Sequence, residues 1–178
     1  MPIRRVVTGH DTTGKAVFVS DELVDATTIP MLSGSMYHEL WSGDETPTYP
    51  DDGQQSPAAR WFPPVDGFRF ATFHVPGQST KLPEDFDRDV AVAQLEETLP
   101  GMVTDARHEP DAPGMHTSDT IDFEYVLSGE VWLELDDGAE VHLRPGDTVV
   151  QNGTRHAWRN KGDEPCHMVV VLLGAHRD

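Results

Sequence analysis

The run from Arg144 to Asn160, RPGDTVVQNGTRHAWRN, constrains this chain more than any other stretch. It sets two turn signals around two short β-rich segments, so the backbone must change direction twice within a few residues. Pro145-Gly146-Asp147 opens the run and supplies the positive-φ position that a tight turn needs. Thr148 to Gln151 reads as a β-branched strand, Gly153 permits a second sharp bend, and His156 to Trp158 resumes an extended segment. His156 is therefore expected on a strand, held by backbone geometry.

The natural partner lies upstream, from Met115 to Glu134, where strand periodicity is broken at Ser128-Gly129 and ended by Asp136-Asp137-Gly138. Side chains alternate across a strand, so His116, Ser118, Thr120, Asp122 and Glu124 share one face if the segment is extended throughout. The opposite face carries Ile121, Phe123, Tyr125 and Leu127, the pattern of a strand packed on hydrophobic neighbours. Two carboxylates and a histidine sent in one direction point to a polar pocket. Trp158, two positions past His156, shares its face and is placed either to stack on an organic ligand or to fill the core. His74 or Phe73 faces the interior, depending on a strand register that alternation alone leaves open.

These two stretches together resemble the paired motifs of the cupin superfamily. Gly146, Gly153, His156 and Asn160 match the second motif, with one residue fewer than usual between the glycines. In the first motif, counting back from Gly129 puts Asp122 where a glutamate belongs, His116 at the first histidine and Ser118 at the second. The resemblance covers roughly residues 67 to 174. It implies an all-β, jelly-roll-like barrel with an N-terminal strand arm and one short inserted helix, often dimeric through that arm. It also implies a divalent transition metal (iron, manganese, zinc or nickel) held by histidines and a carboxylate. Here the ligand set would be His116 and His156 with Asp122 or Glu124, a two-histidine, one-carboxylate pattern. The alternative is a metal-free pocket in which those four residues bond to one another and to a ligand.

Composition agrees with a single domain of residues 1–178: N-terminal strands and loop over 1–66, a barrel core over 67–174, and an insertion at 78–114. Ile3 to Val7 and Ala16 to Val19 read as a hairpin arm added to the sheet edge, Met36 to Trp41 as a strand, Asp44 to Ala58 as an exposed loop, and Gly67 to Gly77 as the strand entering the barrel. Within the insertion, Val90, Ala91, Gln94, Leu95 and Thr98 fit a short amphipathic helix over Glu84 to Leu99, stopped by Pro100-Gly101. Its ends join a barrel strand to His116, so the insertion is expected beside the barrel mouth as a lid or substrate-selecting cover.

The net charge of −18 argues against nucleic acid as a partner, because the few basic residues do not cluster along the sequence. Lysine is confined to Lys15, Lys81 and Lys161, a surface expected of a protein kept soluble at high salt. No stretch approaches the roughly 20 apolar residues of a membrane span, and no signal-peptide core is seen, so a cytoplasmic location without membrane association is expected. Cys166 is the single cysteine and reads as a small buried apolar residue. His10, His38, His108, His142, His167 and His176 lack partners at ligand spacing, and His142 is expected to be exposed.

Two function classes follow. In the first, the chain is an enzyme on a small organic acid or oxygenated metabolite, of lyase, isomerase or oxygenase type. A metal then acts as Lewis acid with Glu124 or Asp122 as general base, or His156 moves a proton without metal. In the second it is a non-catalytic small-molecule sensor acting through dimer contacts.

Overall fold

Short β-rich segments punctuated by glycine, proline and aspartate pair here into antiparallel sheets. The computed structural model describes residues 1–30, 32–55, 57–109 and 111–178; Ser56 in the expected loop and Pro110 in the expected insertion lie outside the described residues. Strands β1 (Ile3–His10) and β2 (Ala16–Val24) form a two-stranded hairpin of their own. The expected addition of this arm to the sheet edge is thus corrected: it pairs only with itself. The loop that holds Asp51 and Asp52 straps it instead, with the Asp51 carbonyl accepting from the His10 N–H at 2.8 Å. Gly9 has to be glycine there, because a Cβ would stand 2.4 Å from the Asp52 carbonyl oxygen.

Six strands make the main sheet: β3 (Thr27–Thr28), β4 (Met36–Gly43), β5 (Phe68–Val75), β6 (Thr120–Ser128), β9 (Thr148–Gln151) and β11 (Cys166–Gly174), in the order β3-β4-β5-β11-β6-β9. Three more make the facing sheet: β7 (Val131–Glu134), β8 (Glu140–Leu143) and β10 (Ala157–Arg159), in the order β10-β7-β8. The run that opened the sequence reading therefore crosses between layers. Its β9 belongs to the first sheet, its β10 to the second, and Gly153 turns the corner at φ 61°. A Cβ at Gly153 would meet the Ser118 carbonyl oxygen at 2.8 Å, so this corner admits no larger residue without a shift.

Two apolar clusters flank the space between the layers. Val126, Val131, Leu133, Leu143, Cys166 and Met168 fill the region between the sheets. Cys166 is fully buried and its thiol is pushed up to about 11 by burial, which suits an inert core residue. The second cluster joins Ile29, Trp61, Ala71, Val170 and Leu172 to Leu95 of the helix and Leu99 at its C-terminal cap. That helix, α1 (Arg88–Thr98), is shorter than Glu84 to Leu99 because Asp87 caps it, accepting from the Asp89 and Val90 N–H groups.

The polar face of β6 points inward, and this inverts one expectation. Phe123, Tyr125 and Leu127 lie on the outer surface rather than against hydrophobic neighbours, with Phe123 46% exposed. Alternation assigns residues to two faces but does not say which face is inside.

Candidate active site

The site begins with a backbone contact. His116 and His156 form an isolated antiparallel bridge in which each N–H donates to the other's carbonyl at 3.0 Å. Directly opposed residues project to the same side, and the two imidazole centroids stand 4.2 Å apart. His116 thus reaches the pocket through this bridge, since β6 begins only at Thr120. A bidentate ion pair braces the bridge: Arg155 donates to Glu109 at 2.6 and 2.7 Å, tying the segment before His116 to the residue before His156.

Each imidazole has its tautomer set by the backbone. The Nδ1 of His116 lies 3.0 Å from the Gly114 carbonyl and that of His156 lies 2.9 Å from the Thr154 carbonyl. A carbonyl only accepts, so both Nδ1 atoms carry the proton and both Nε2 atoms keep a lone pair. Burial, followed by the charge of His156, pushes His116 down to about 4; burial lowers His156 as well. Both rings are neutral at pH 7.

Asp122 and Glu124, on the inner face of β6, are also buried, and each has one carboxyl oxygen without a partner among the described residues. Burial pushes Asp122 up to about 6, with the nearby Thr120 hydroxyl acting in the opposite direction. Burial and the neighbouring Asp122 raise Glu124 well above its ordinary value. The upward shift favours the protonated carboxyl, a hydrogen-bond donor, while the ionised form is the one its expected role as general base requires.

His116, His156, Asp122, Glu124 and Trp158 all line one cavity of about 270 Å³. Most of its remaining wall is apolar: Tyr37 from β4, Phe73 from β5, Val170 and Leu172 from β11, and Trp61 and Phe62 from the loop before β5. Trp158 stands edge-on to His156 at 5.9 Å and beside Phe73 at 6.3 Å. Leu95 of α1 and Met102, Ala106 and His108 beyond it complete the lining, so the inserted segment forms one side of the cavity.

Three expected pocket residues lie elsewhere. His74 is not in the cavity wall; its neighbour Phe73 is, and His74 stacks on His167 at 4.0 Å. Ser118 and Thr120 are buried but hydrogen-bonded to each other at 2.8 Å, and they line a separate small cavity. Thr120 touches the chemistry only through Asp122. His108, set aside in the sequence for want of a partner, belongs at the pocket, 4.9 Å from His116 between ring centroids. It sits on a loop without periodicity, so only its position eight residues before His116 marked it. His142 is half-buried rather than exposed, stacked on Trp132 and bonded to Glu130 at 2.8 Å.

By donor type the site suits a transition metal. Two neutral imidazoles with Nδ1 held by carbonyls and Nε2 free, beside unsatisfied carboxyls, are the groups such an ion takes. Among the described residues, however, no three of these side chains are arranged as a coordination cluster.

Residues 101–172 match the family profile described as the cupin domain. The chain carries a cupin domain over that stretch. This cupin is 28% identical over 172 residues to a protein of Aspergillus ruber named cupin-domain-containing oxidoreductase fogC, covering 95% of this chain and 71% of that one. A Neurospora crassa protein, cupin-domain-containing oxidoreductase srdB, is 27% identical over 95% of this chain and 72% of its own length. A shorter match, 45% over 62 residues, links 34% of this cupin to 33% of phomopsin biosynthesis cluster protein C' of Diaporthe leptostromiformis. No helix of the described residues is long and apolar enough to cross a membrane.

Proposed function

We propose that this cupin is an enzyme that transfers a proton on an oxygenated metabolite with a substantial apolar body. The observation carrying this is the division of the cavity. Two buried carboxyls with unpartnered oxygens and two imidazoles with free lone pairs share one wall, and aromatic and aliphatic side chains form the rest. Unpartnered buried polar atoms are costly unless a ligand meets them. An oxygenated metabolite suits this lining better than a small organic acid, because a ligand carboxylate would enter an apolar space already holding two acidic groups.

In its protonated form the Glu124 carboxyl donates a hydrogen bond to a substrate carbonyl oxygen and so acidifies the C–H of the carbon α to that carbonyl. The Nε2 lone pair of His156 removes a proton from that carbon, and the Nδ1–H bond to the Thr154 carbonyl steadies the imidazolium that forms. Return of the proton to a different carbon gives an isomerisation. Departure of a β-hydroxyl as water, taking the proton that the His156 imidazolium holds, gives a dehydration. Trp158 and Phe73 hold the apolar body, and the walls exclude water from the enolate. A divalent iron, manganese, zinc or nickel ion would be held by His116, His156 and Asp122 or Glu124, and when bound it supplies a Lewis acid for the same oxygen. The oxidoreductase names of the fungal relatives support an enzymatic reading.

The test is deuterium incorporation from heavy water into a panel of alicyclic and aromatic ketones, followed by NMR. Wild-type protein is expected to catalyse exchange, with His156→Ala and Glu124→Gln slower by about a hundredfold or more. Ligand binding in the cavity with no exchange above background would replace this reading with that of a sensor.

A further inference from the structure

Arginines far apart in the sequence converge on a second cavity. Arg60, Arg69, Arg107 and Arg177 line a cleft of about 730 Å³ together with Asp44, Asp105 and Asp119. Over the whole chain acidic residues outnumber lysine and arginine by 31 to 13, so this cleft reverses the local balance. The sequence shows no clustering of bases; the fold creates it.

The arginines differ in how far they are committed. Arg69 is enclosed, donating to the carbonyls of Gly43, Arg60 and Phe68 and to Asp44, and so forms rigid floor. Arg107 grips Asp119 through both terminal nitrogens, whereas Arg177 binds the same carboxylate through Nε, leaving its terminal nitrogens outside that bond. Arg60 donates to Asp105 through Nε and one terminal nitrogen, with the other terminal nitrogen outside the pair. The side chains of Arg60, Arg107 and Arg177 are each about half exposed. Phe62, Pro63, Pro64 and Val65 supply an apolar side to the same cleft.

The backbone at Arg107 is strained. It is a non-glycine residue at φ 42°, a conformation that costs energy and persists only where the surroundings impose it. Ala106 and His108 line the active-site cavity while Thr104, Asp105 and Arg107 line the arginine cleft, so this segment is a wall shared by the two cavities. The left-handed turn accompanies the change of side.

We propose that the arginine cleft is a binding site for an oxyanion group, a carboxylate or phosphate, on a small molecule whose remaining body packs on the proline-rich side. Guanidinium forks favour such groups through paired, charge-assisted hydrogen bonds. Arg177 and Arg60 supply the uncommitted donors, and Arg107 with Asp119 fixes their spacing.

The test is thermal-shift and calorimetric titration of the full chain with inorganic phosphate and with malonate, using chloride at matched ionic strength as reference. Saturable stabilisation by at least one anion is expected. Arg177→Gln and Arg60→Gln should each weaken it about tenfold, while Arg4→Gln, whose partner Asp21 lies on the hairpin, should bind as wild type. Response to phosphate alone identifies a phosphate ester as the ligand class, and response to malonate alone a carboxylate. A shift that merely follows ionic strength would overturn the proposal, as would equal affinities in wild type and folded Arg177→Gln, with folding checked by circular dichroism.

Discussion

Asp122 carries an energetic cost at neutral pH that its position explains. Its folded-state pKa, about 6, lies above the ordinary carboxylate value, so its favourable contribution is complete at low pH and is lost as pH rises through about 6. In chelator-treated protein, Asp122→Asn is therefore expected to be more stable than wild type by up to about 3 kcal/mol near pH 8, the advantage fading near pH 4. His116 titrates with the opposite sign, its stabilising effect being lost as pH falls towards about 4, but it does so in both proteins and drops out of the comparison. Urea melts across that range check this; a variant less stable than wild type at alkaline pH would contradict it. The positions of residues were legible where local backbone chemistry determined them. His156 was placed by the glycine and turn signals beside it, and its convergence with His116 followed from pairing. His74 and Phe73 could not be told apart because register depends on partner strands, and His108 could not be weighed because the loop around it carries no period.

Among the elements, the helix shows how far the insertion has become part of the core. Leu95 and Leu99 pack with Trp61, Val170 and Leu172, and Glu96 accepts from the Gly101, Val103 and Thr104 N–H groups at 2.9, 2.6 and 2.9 Å, latching the following loop to the helix. Removing Asp85 to Met102 would thus expose core as well as pocket. Leu95→Ala is the cleaner probe. It is expected to cost about 3 kcal/mol in thermal or urea unfolding and to alter the affinity of cavity ligands, since Leu95 also lines the cavity. A full loss of stability with unchanged ligand affinity would remove the substrate-selecting role proposed for the insertion. The existence of the elements was readable from periodicity and punctuation, and so was the helix stop at Pro100-Gly101. Which face of β6 turns inward was not, because a strand with carboxyls on one side and aromatics on the other is read by default with its aromatics buried.

At the scale of the molecule, that inversion leaves an apolar outer surface. Register aligns Val150, Phe123, Val171 and Phe70 in one row across four strands, and Val150 is 57% exposed. On the separate hairpin, Phe18 is 81% exposed. A patch of this extent is rarely left open on a monomer, and a two-stranded hairpin is marginal alone. We propose a homodimer in which a second copy covers this face. Light scattering should give twice the chain mass for wild type and the chain mass for Phe123→Asp; a monomeric wild type would remove the proposal. The acidic surface predicts a melting temperature that rises from low to multimolar potassium chloride, and a flat profile would exclude adaptation to high salt.

The two imidazoles hang from a single pair of reciprocal backbone bonds, while Asp122 and Glu124 belong to the large sheet. His116 leads into β6 of the large sheet and His156 into β10 of the smaller one, so their bridge is a seam between the layers, and a slide of one layer over the other would have to shear it. Held at that seam, the rings keep a fixed spacing to the acids on β6 as well as to each other.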